Sequence, residues 1–164
     1  SRIPDALLPD ALISNFHAQS SYRMTAEVLI PEDGAEGVLA AYGDRANGFV
    51  WYVKDGRLVY ENRTGQRHQM LISDGSLPRG RATLAFALER SAAQERVTWW
   101  EGSPGIGHLY INGRLAAQAS LPAVWRTSGR SLMLGRSENS PVSSAFVPPF
   151  EFTGVLEKVT IELQ

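Results

Sequence analysis

The 164-residue sequence contains no cysteine. Disulfides, thiolate metal ligands and thiol nucleophiles are therefore excluded. The absence of cysteine does not indicate whether the protein works in an oxidising or a reducing compartment. No apolar run reaches the roughly 20 residues that span a bilayer, and no basic-then-apolar signal segment opens the chain. We therefore expect no membrane partner. The first methionine is Met24, so we also expect the chain to be a processed piece of something longer.

The sequence also has no surplus of positive charge. Sixteen basic and seventeen acidic residues leave a formal net charge of -1. A nucleic-acid-binding protein usually carries a basic surplus on one face, so we expect no nucleic-acid partner. Hydrophobic residues make up 43% of the chain, which at this length is enough for one domain with a core.

Motifs that carry chemistry are missing as well. There is no Gly-x-Ser-x-Gly elbow and no glycine-rich loop between a strand and a helix, so we predict no catalytic residue and no cofactor. His17, His68 and His108 lack metal-ligand spacing, and we expect each at the surface or satisfied in the interior. Two polar loops could offer oxygen ligands to Ca²⁺, although turn chemistry explains them equally well. They contain Asp44, Asn47, Glu138 and Asn139.

A pattern of short strands occupies most of the chain. Apolar positions repeat every two residues along 81–89, and Asp55-Gly56 and Asn112-Gly113 each separate two apolar runs in the manner of β-hairpins. We predict that Gly105 and Gly107 lie in a break between strands. We also predict that the alternating strand at the end of the chain lies at the centre of a sheet. About ten to twelve strands with frequent turns predict an all-β jelly-roll sandwich. The other predicted strands are 23–30, 37–42, 49–53, 58–62, 68–72, 96–101, 108–111, 115–118 and 132–134.

Residues 1–21 differ from the rest and contain the near-repeat Pro-Asp-Ala-Leu. Proline followed by aspartate can open a helical turn. The segment is either a linker with short helical turns or a segment that docks on a neighbouring domain through Leu7, Leu8, Leu12 and Ile13. Residues 22–164 form the predicted sandwich domain.

Paired aromatic residues are the candidate ligand or interface residues. Successive side chains of a strand point to opposite faces, so one member of each adjacent pair must leave the core. An exposed ring can stack on a sugar or anchor a protein interface, unless neighbouring loops cover it. The candidates are Trp51, Tyr52, Trp99, Trp100 and Trp125.

Several short motifs, taken in order, resemble the C-terminal region of bacterial arylsulfatases. They are YRMTAEV (22–28), EGVLA (36–40), YVKDGRLVY (52–60), LYING (109–113), LGR (134–136), SPV (140–142) and PFEFTGVLEKVTI (149–161). The resemblance implies a concanavalin A-like, laminin-G-like jelly roll of two antiparallel sheets that follows a sulfatase catalytic domain. The Cys/Ser-x-Pro-x-Arg motif of sulfatase chemistry is absent, because after Ser76 and Pro78 the arginine Arg81 comes one position too late.

The leading interpretation is therefore a non-catalytic accessory domain that packs on a sulfatase catalytic domain in cis. Without that partner, the exposed apolar surface would favour a homodimer. The alternative is a lectin-like module that binds a glycan through exposed aromatic rings. An independent glycosidase ranks last, since the sequence lacks the Glu-x-Asp-x-x-Glu spacing that would place paired carboxylates on one strand.

Overall fold

The computed structural model describes residues 21–43, 47–64, 67–90, 105–121, 132–137, 143–147 and 149–163. These residues form two antiparallel sheets. The first sheet has the strand order β10-β1-β6-β7-β8, and the second sheet has the order β5-β4-β3-β2-β9. The strands are β1 (Tyr22–Ile30), β2 (Gly37–Gly43), β3 (Asn47–Lys54), β4 (Arg57–Thr64), β5 (Arg67–Ile72), β6 (Gly80–Arg90), β7 (Gly105–Ile111), β8 (Arg114–Leu121), β9 (Leu132–Leu134) and β10 (Val155–Leu163).

The core lies between the two sheets because each strand turns alternate side chains inward. Along β1, every second residue from Tyr22 to Ile30 is buried. Tyr60 of the second sheet stacks on Phe86 of the first, with ring centroids 3.7 Å apart and planes 7° from parallel. The hydroxyls of Tyr22 and Tyr60 also lie 3.3 Å apart across the core. The all-β prediction is confirmed.

Both hairpins predicted from turn residues are present. Asp55 and Gly56 adopt φ values of 52° and 75°, and Asn112 and Gly113 adopt 51° and 78°. Two consecutive positive φ values define the type I′ turn, whose twist matches that of the flanking strands. The first turn fixes the pairing of β3 with β4, and the second fixes that of β7 with β8.

Two expectations about the strands are wrong. Gly105 and Gly107 lie inside β7 and do not interrupt it. A Cβ on Gly107 would lie 3.0 to 3.3 Å from side-chain atoms of Leu121, Phe86 and Leu71, so the residue is small because the two sheets approach closely there. The closing strand, β10, is at an edge of the described first sheet, where it pairs with β1 alone.

Other expectations lie outside the described residues. These are the structure of residues 1–20, the strand predicted at 96–101, and most of the two loops considered as Ca²⁺ ligands. The division into segments 1–21 and 22–164 stays a prediction. Within the residues that the structure describes, no helix is long and apolar enough to cross a membrane.

Candidate ligand-binding site

The outer face of the second sheet carries a second cluster of side chains, separate from the core between the sheets. Part of this face is apolar, with Val50 and Tyr52 of β3 beside Val59 of β4. Residues 143–147 and 149–150 fold over this part, which we name the covered half. The remainder, formed by β4 and β5, is the open half and contains Glu61, Arg63, His68, Met70 and Ile72.

Aromatic contacts hold these residues over the covered half. The ring of Phe146 meets Tyr52 edge-on at 5.2 Å between centroids, and Phe150 meets it at 6.3 Å. Phe146 and Phe150 also stack on each other at 4.8 Å. The Lys54 ammonium donates a hydrogen bond to the backbone carbonyl of Ala145. The covered half is thus a small apolar core on the outside of the sheet.

Where the two halves meet, a carboxylate is buried between two partners. Glu61 is 1% exposed. The Tyr52 hydroxyl donates to Glu61 Oε2 at 2.6 Å, and Nε2 of His68 lies 2.8 Å from Oε1. Burial first, and the hydrogen bond to Glu61 second, raise the pKa of Tyr52 far above its ordinary value, so the hydroxyl stays a donor.

The pairing of the strands explains this arrangement. The Asp55-Gly56 turn pairs Tyr52 with Val59, so Glu61, two residues further along β4, is the diagonal neighbour of Tyr52. Diagonal neighbours on one face are within reach of an aromatic side chain. The side chain of His68 is 35% exposed, so Glu61 fixes one nitrogen of a ring whose other edge faces outward.

Arg63 occupies the end of the open half. It pairs with Gly48 of β3 on one side and with His68 of β5 on the other. Its Nε is buried and has no hydrogen-bond partner among the described residues. Gly48 is buried, and a Cβ there would lie 2.0 Å from the carbonyl oxygen of Tyr42, so the backbone of β2 fills the space beside Arg63 on the β3 side.

An apolar edge completes the open half. Met70 and Ile72 of β5 are 41% and 47% exposed. They pair with Glu61 and Val59, so they flank the buried carboxylate on the outer side of the sheet. The open half therefore combines polar groups in fixed positions with exposed apolar surface.

The structure places the predicted aromatic residues differently from one another. Trp51 is 0% exposed and packs in the core between the sheets, so no face of its ring is available to a ligand. Tyr52 lies under Phe146 and Phe150, where its hydroxyl positions Glu61. Trp99, Trp100 and Trp125 lie outside the described residues, and ligand contact by them stays a prediction.

Sequence reasoning overlooked the three polar residues of the open half. His68 was expected to be merely at the surface or satisfied, and Glu61 and Arg63 were not considered. A signal was available, because a two-residue turn at Asp55-Gly56 fixes the register of its hairpin. Counting outward from that turn places Tyr52, Glu61 and Arg63 on one face.

The Ca²⁺ prediction is not resolved by this geometry. Asp44, Glu138 and Asn139 lie outside the described residues, and nothing is described of the Asn47 side chain. In the described part of the chain, no group of three or more histidine or acidic side chains could hold a metal ion.

Comparisons with known proteins define the class of fold. No protein-family model matches the chain, and no curated protein sequence matches it significantly. Solved structures do resemble it, and two of them are jelly-roll β-sandwich modules. The predicted jelly-roll sandwich of two antiparallel sheets is thereby confirmed.

Two of the similar structures are of one module, the CBM40 carbohydrate-binding module of the Ruminococcus gnavus IT-sialidase. The structure of that module bound to alpha2,6 sialyllactose has a TM-score of 0.59 and 16% sequence identity, and the match covers 92% of this chain and 79% of that chain. A second structure of the module has a TM-score of 0.61 at 16% identity, covering 96% and 83%. These likenesses establish the fold. The arylsulfatase resemblance finds no support in these comparisons.

Proposed function

We propose that this chain is a non-catalytic, lectin-like module that binds a glycan on the open half of the second sheet. The observation that carries the proposal is the buried carboxylate of Glu61, held by Tyr52 and His68 on an outer face next to exposed Met70 and Ile72. Holding a charged group in this way orients His68 before any ligand arrives, and such preorganisation favours binding.

The chemistry of the open half suits a saccharide. A sugar ring presents hydroxyls around its edge and C–H groups on its faces, so it needs fixed polar partners beside apolar surface. His68 supplies a half-exposed polar ring, and Met70 and Ile72 supply the apolar surface. The similar CBM40 module binds a glycan, sialyllactose, which supports the same class of ligand for this chain.

Titration calorimetry with a panel of sialylated, sulfated and neutral oligosaccharides tests this proposal. His68→Ala removes the polar ring and should weaken binding about tenfold, the effect of losing one hydrogen bond to a charged or polar partner. His108→Ala is the matched control, because His108 lies in β7 of the first sheet and stacks on Tyr110. Silence across the panel, or equal losses in both variants, would reject the proposal.

A second candidate function is the accessory domain packed on a sulfatase catalytic domain in cis. The observation that favours it is the position of β5 at an edge of the described second sheet, where exposed Met70 and Ile72 would also suit a domain interface or a homodimer. The test is the coding sequence upstream of Ser1. A Cys/Ser-x-Pro-x-Arg motif there supports this candidate, and its absence from the whole upstream frame contradicts it.

A further inference from the structure

We propose that β5 pairs, in the antiparallel direction, with β5 of a second copy of this chain, so that the second sheets of two molecules join into one continuous sheet. The partner is this chain itself, and the contact goes beyond the proposed function and does not depend on it. The direction of the backbone groups along β5 carries the inference, together with the contrast between this edge and the other edges of the described sheets.

The backbone of Ser73 shows which way the residues of β5 face. Ser73 directly follows β5, and its N–H donates to the Leu58 carbonyl of β4. Successive residues of a strand direct their backbone N–H and C=O groups to opposite sides of the strand. The groups of Ile72, Met70 and His68 therefore point away from β4, toward the free side of β5.

The residue that continues this outward-facing row supports the same direction. Asp74 comes two positions after Ile72, and its N–H donates to the Ala116 carbonyl of β8 in the first sheet. The row is thus occupied at Asp74. From Ile72 back to His68, no strand lies beside it in the part of the chain that the structure describes. Backbone groups at such an edge are a template for pairing with another chain.

The other edges of the described sheets carry features that oppose such pairing. β9 has only three residues. β10 pairs with β1 through a register shift and exposes the charged Glu157, Lys158 and Glu162. β8 also has a register shift in its pairing with β7, and Asp74 already binds one of its carbonyls. Natural proteins protect edge strands by these means.

β5 lacks such protection from His68 to Ile72. This stretch contains no acidic residue, lysine, arginine or proline. It pairs with β4 in one unbroken register, and its apolar Met70 and Ile72 are exposed on the outer face. An edge strand that is regular, apolar and uncharged is expected to be covered by a partner.

A twofold axis through Met70, perpendicular to the sheet, lets β5 pair with itself. This axis places Met70 opposite Met70 of the second copy and His68 opposite Ile72 of the second copy. All of these residues belong to the outward-facing row, so each N–H meets a C=O of the other molecule, as in the hydrogen-bonded pairs of an antiparallel ladder. The two strands are therefore self-complementary in this register.

The side chains of the outer face fit the same register. The axis brings the two Met70 side chains together, and it lays Ile72 of one copy beside His68 of the other. Exposed apolar surface is covered, and no two like charges are opposed between His68 and Ile72. Each open half also gains an apolar wall from the second copy.

Sedimentation equilibrium of the whole chain tests this assembly. Between about 1 and 100 µM, we expect the mass to rise from 18.0 kDa toward twice that value. Met70→Lys should raise the dissociation constant about tenfold or more, because it places two like charges directly opposite each other. Ile106→Lys is the matched control and should leave association unchanged, since Ile106 is an exposed apolar residue of β7 in the first sheet.

A single introduced thiol locates the axis. The chain contains no cysteine, so Met70→Cys has one thiol in each molecule. A short bis-maleimide should join two copies of this variant into a covalent dimer on a denaturing gel, because the axis brings the two Cβ atoms to about 5 Å. Ile106→Cys is the control and should remain a monomer.

Hydrogen exchange then reports on the backbone of β5. In the dimer, the amides of His68, Met70 and Ile72 should be protected, and Met70→Lys should make them exchange faster. A chain that stays monomeric over the whole concentration range overturns the proposal. Protection of these amides in such a monomer would show that another part of this chain covers the edge.

Two further outcomes also count against the proposal. These are a dimer that Met70→Lys weakens no more than Ile106→Lys does, and cross-linking of Ile106→Cys as complete as that of Met70→Cys. Thermal unfolding of each variant shows that it is folded, and Met70→Cys provides the comparison where Met70→Lys does not fold. No sugar enters these measurements, so silence across the oligosaccharide panel rejects the proposed function and leaves this inference standing.

Discussion

The hydroxyl of Tyr52 donates a 2.6 Å hydrogen bond to Oε2 of Glu61, which is its diagonal neighbour on the adjacent strand. This contact joins the two halves of the outer face. Tyr52 belongs to the apolar covered half under Phe146, and Glu61 begins the polar open half. Packing of Phe146 and Phe150 on Tyr52 is therefore coupled to the position of His68 through a single carboxylate.

Tyr52→Phe is expected to destabilise the fold by about 1–3 kcal/mol, because it leaves one oxygen of a buried carboxylate without its donor. The ring and its packing against Phe146 and Phe150 are retained, so the change isolates the hydroxyl. Urea unfolding followed by tryptophan fluorescence measures the difference. Tyr110→Phe is the control, since no hydrogen bond to the Tyr110 hydroxyl occurs in the described residues, and it should change stability by less than about 0.5 kcal/mol. Equal effects of the two changes would contradict this assignment.

The stability that Tyr52 contributes should depend on pH in the alkaline range. Burial and the hydrogen bond to Glu61 raise the pKa of Tyr52 in the folded state. Above the ordinary tyrosine pKa of about 10, the unfolded chain releases this proton while the folded chain keeps it. The folded state then binds more protons, so the free energy of unfolding falls as pH rises.

Comparison of the original protein with Tyr52→Phe isolates this contribution. The stability difference between them should be constant below pH of about 9 and shrink above about 10. Urea unfolding between these values at fixed ionic strength checks it. A difference that stays constant up to pH of about 11 would show that the proton of Tyr52 is held no more tightly in the folded state.

Gly107→Ala should destabilise the protein by about 1–3 kcal/mol, the usual cost of overpacking a core. The added Cβ would lie 3.0 Å from Leu121, 3.2 Å from Phe86 and 3.3 Å from Leu71, all of which must shift. Gly75→Ala is the matched control, because no atom lies within 4 Å of a Cβ added there. Thermal unfolding should show a lower Tm for Gly107→Ala than for Gly75→Ala. A neutral Gly107→Ala would mean that the sheets can move apart at no cost.

The local sequence predicted those parts of the fold that depend on local chemistry. Asp55-Gly56 and Asn112-Gly113 supply positive φ, so their hairpins were recognisable. The two-residue repeat along 81–89 predicted an inward-facing strand, and Ala82, Leu84, Phe86 and Leu88 of β6 are buried. The jelly-roll fold followed from the number of short strands and turns.

Features that depend on contacts between distant parts of the chain were not predicted. Gly107 resembles a strand breaker in the sequence, because the close approach of Leu71 from the other sheet is invisible there. The regular alternation of β10 predicts that one of its faces is buried, but it does not show whether a strand pairs with β10 along one edge or along both. The open half was missed because the aromatic residues were considered without the register that pairs β3 with β4 and β4 with β5.

The pairing of β1 with β10 has a consequence for the connectivity of the sandwich. Tyr22, which begins β1, lies directly opposite Leu163, the last residue of β10. Directly opposed residues of an antiparallel pair have Cα atoms about 5 Å apart. The start of β1 and the end of β10 therefore lie side by side, and a few added residues could join Tyr22 to Leu163. A circular permutant opened at the Asn112-Gly113 turn would keep every described strand pairing and would lose only the covalent connection between β7 and β8.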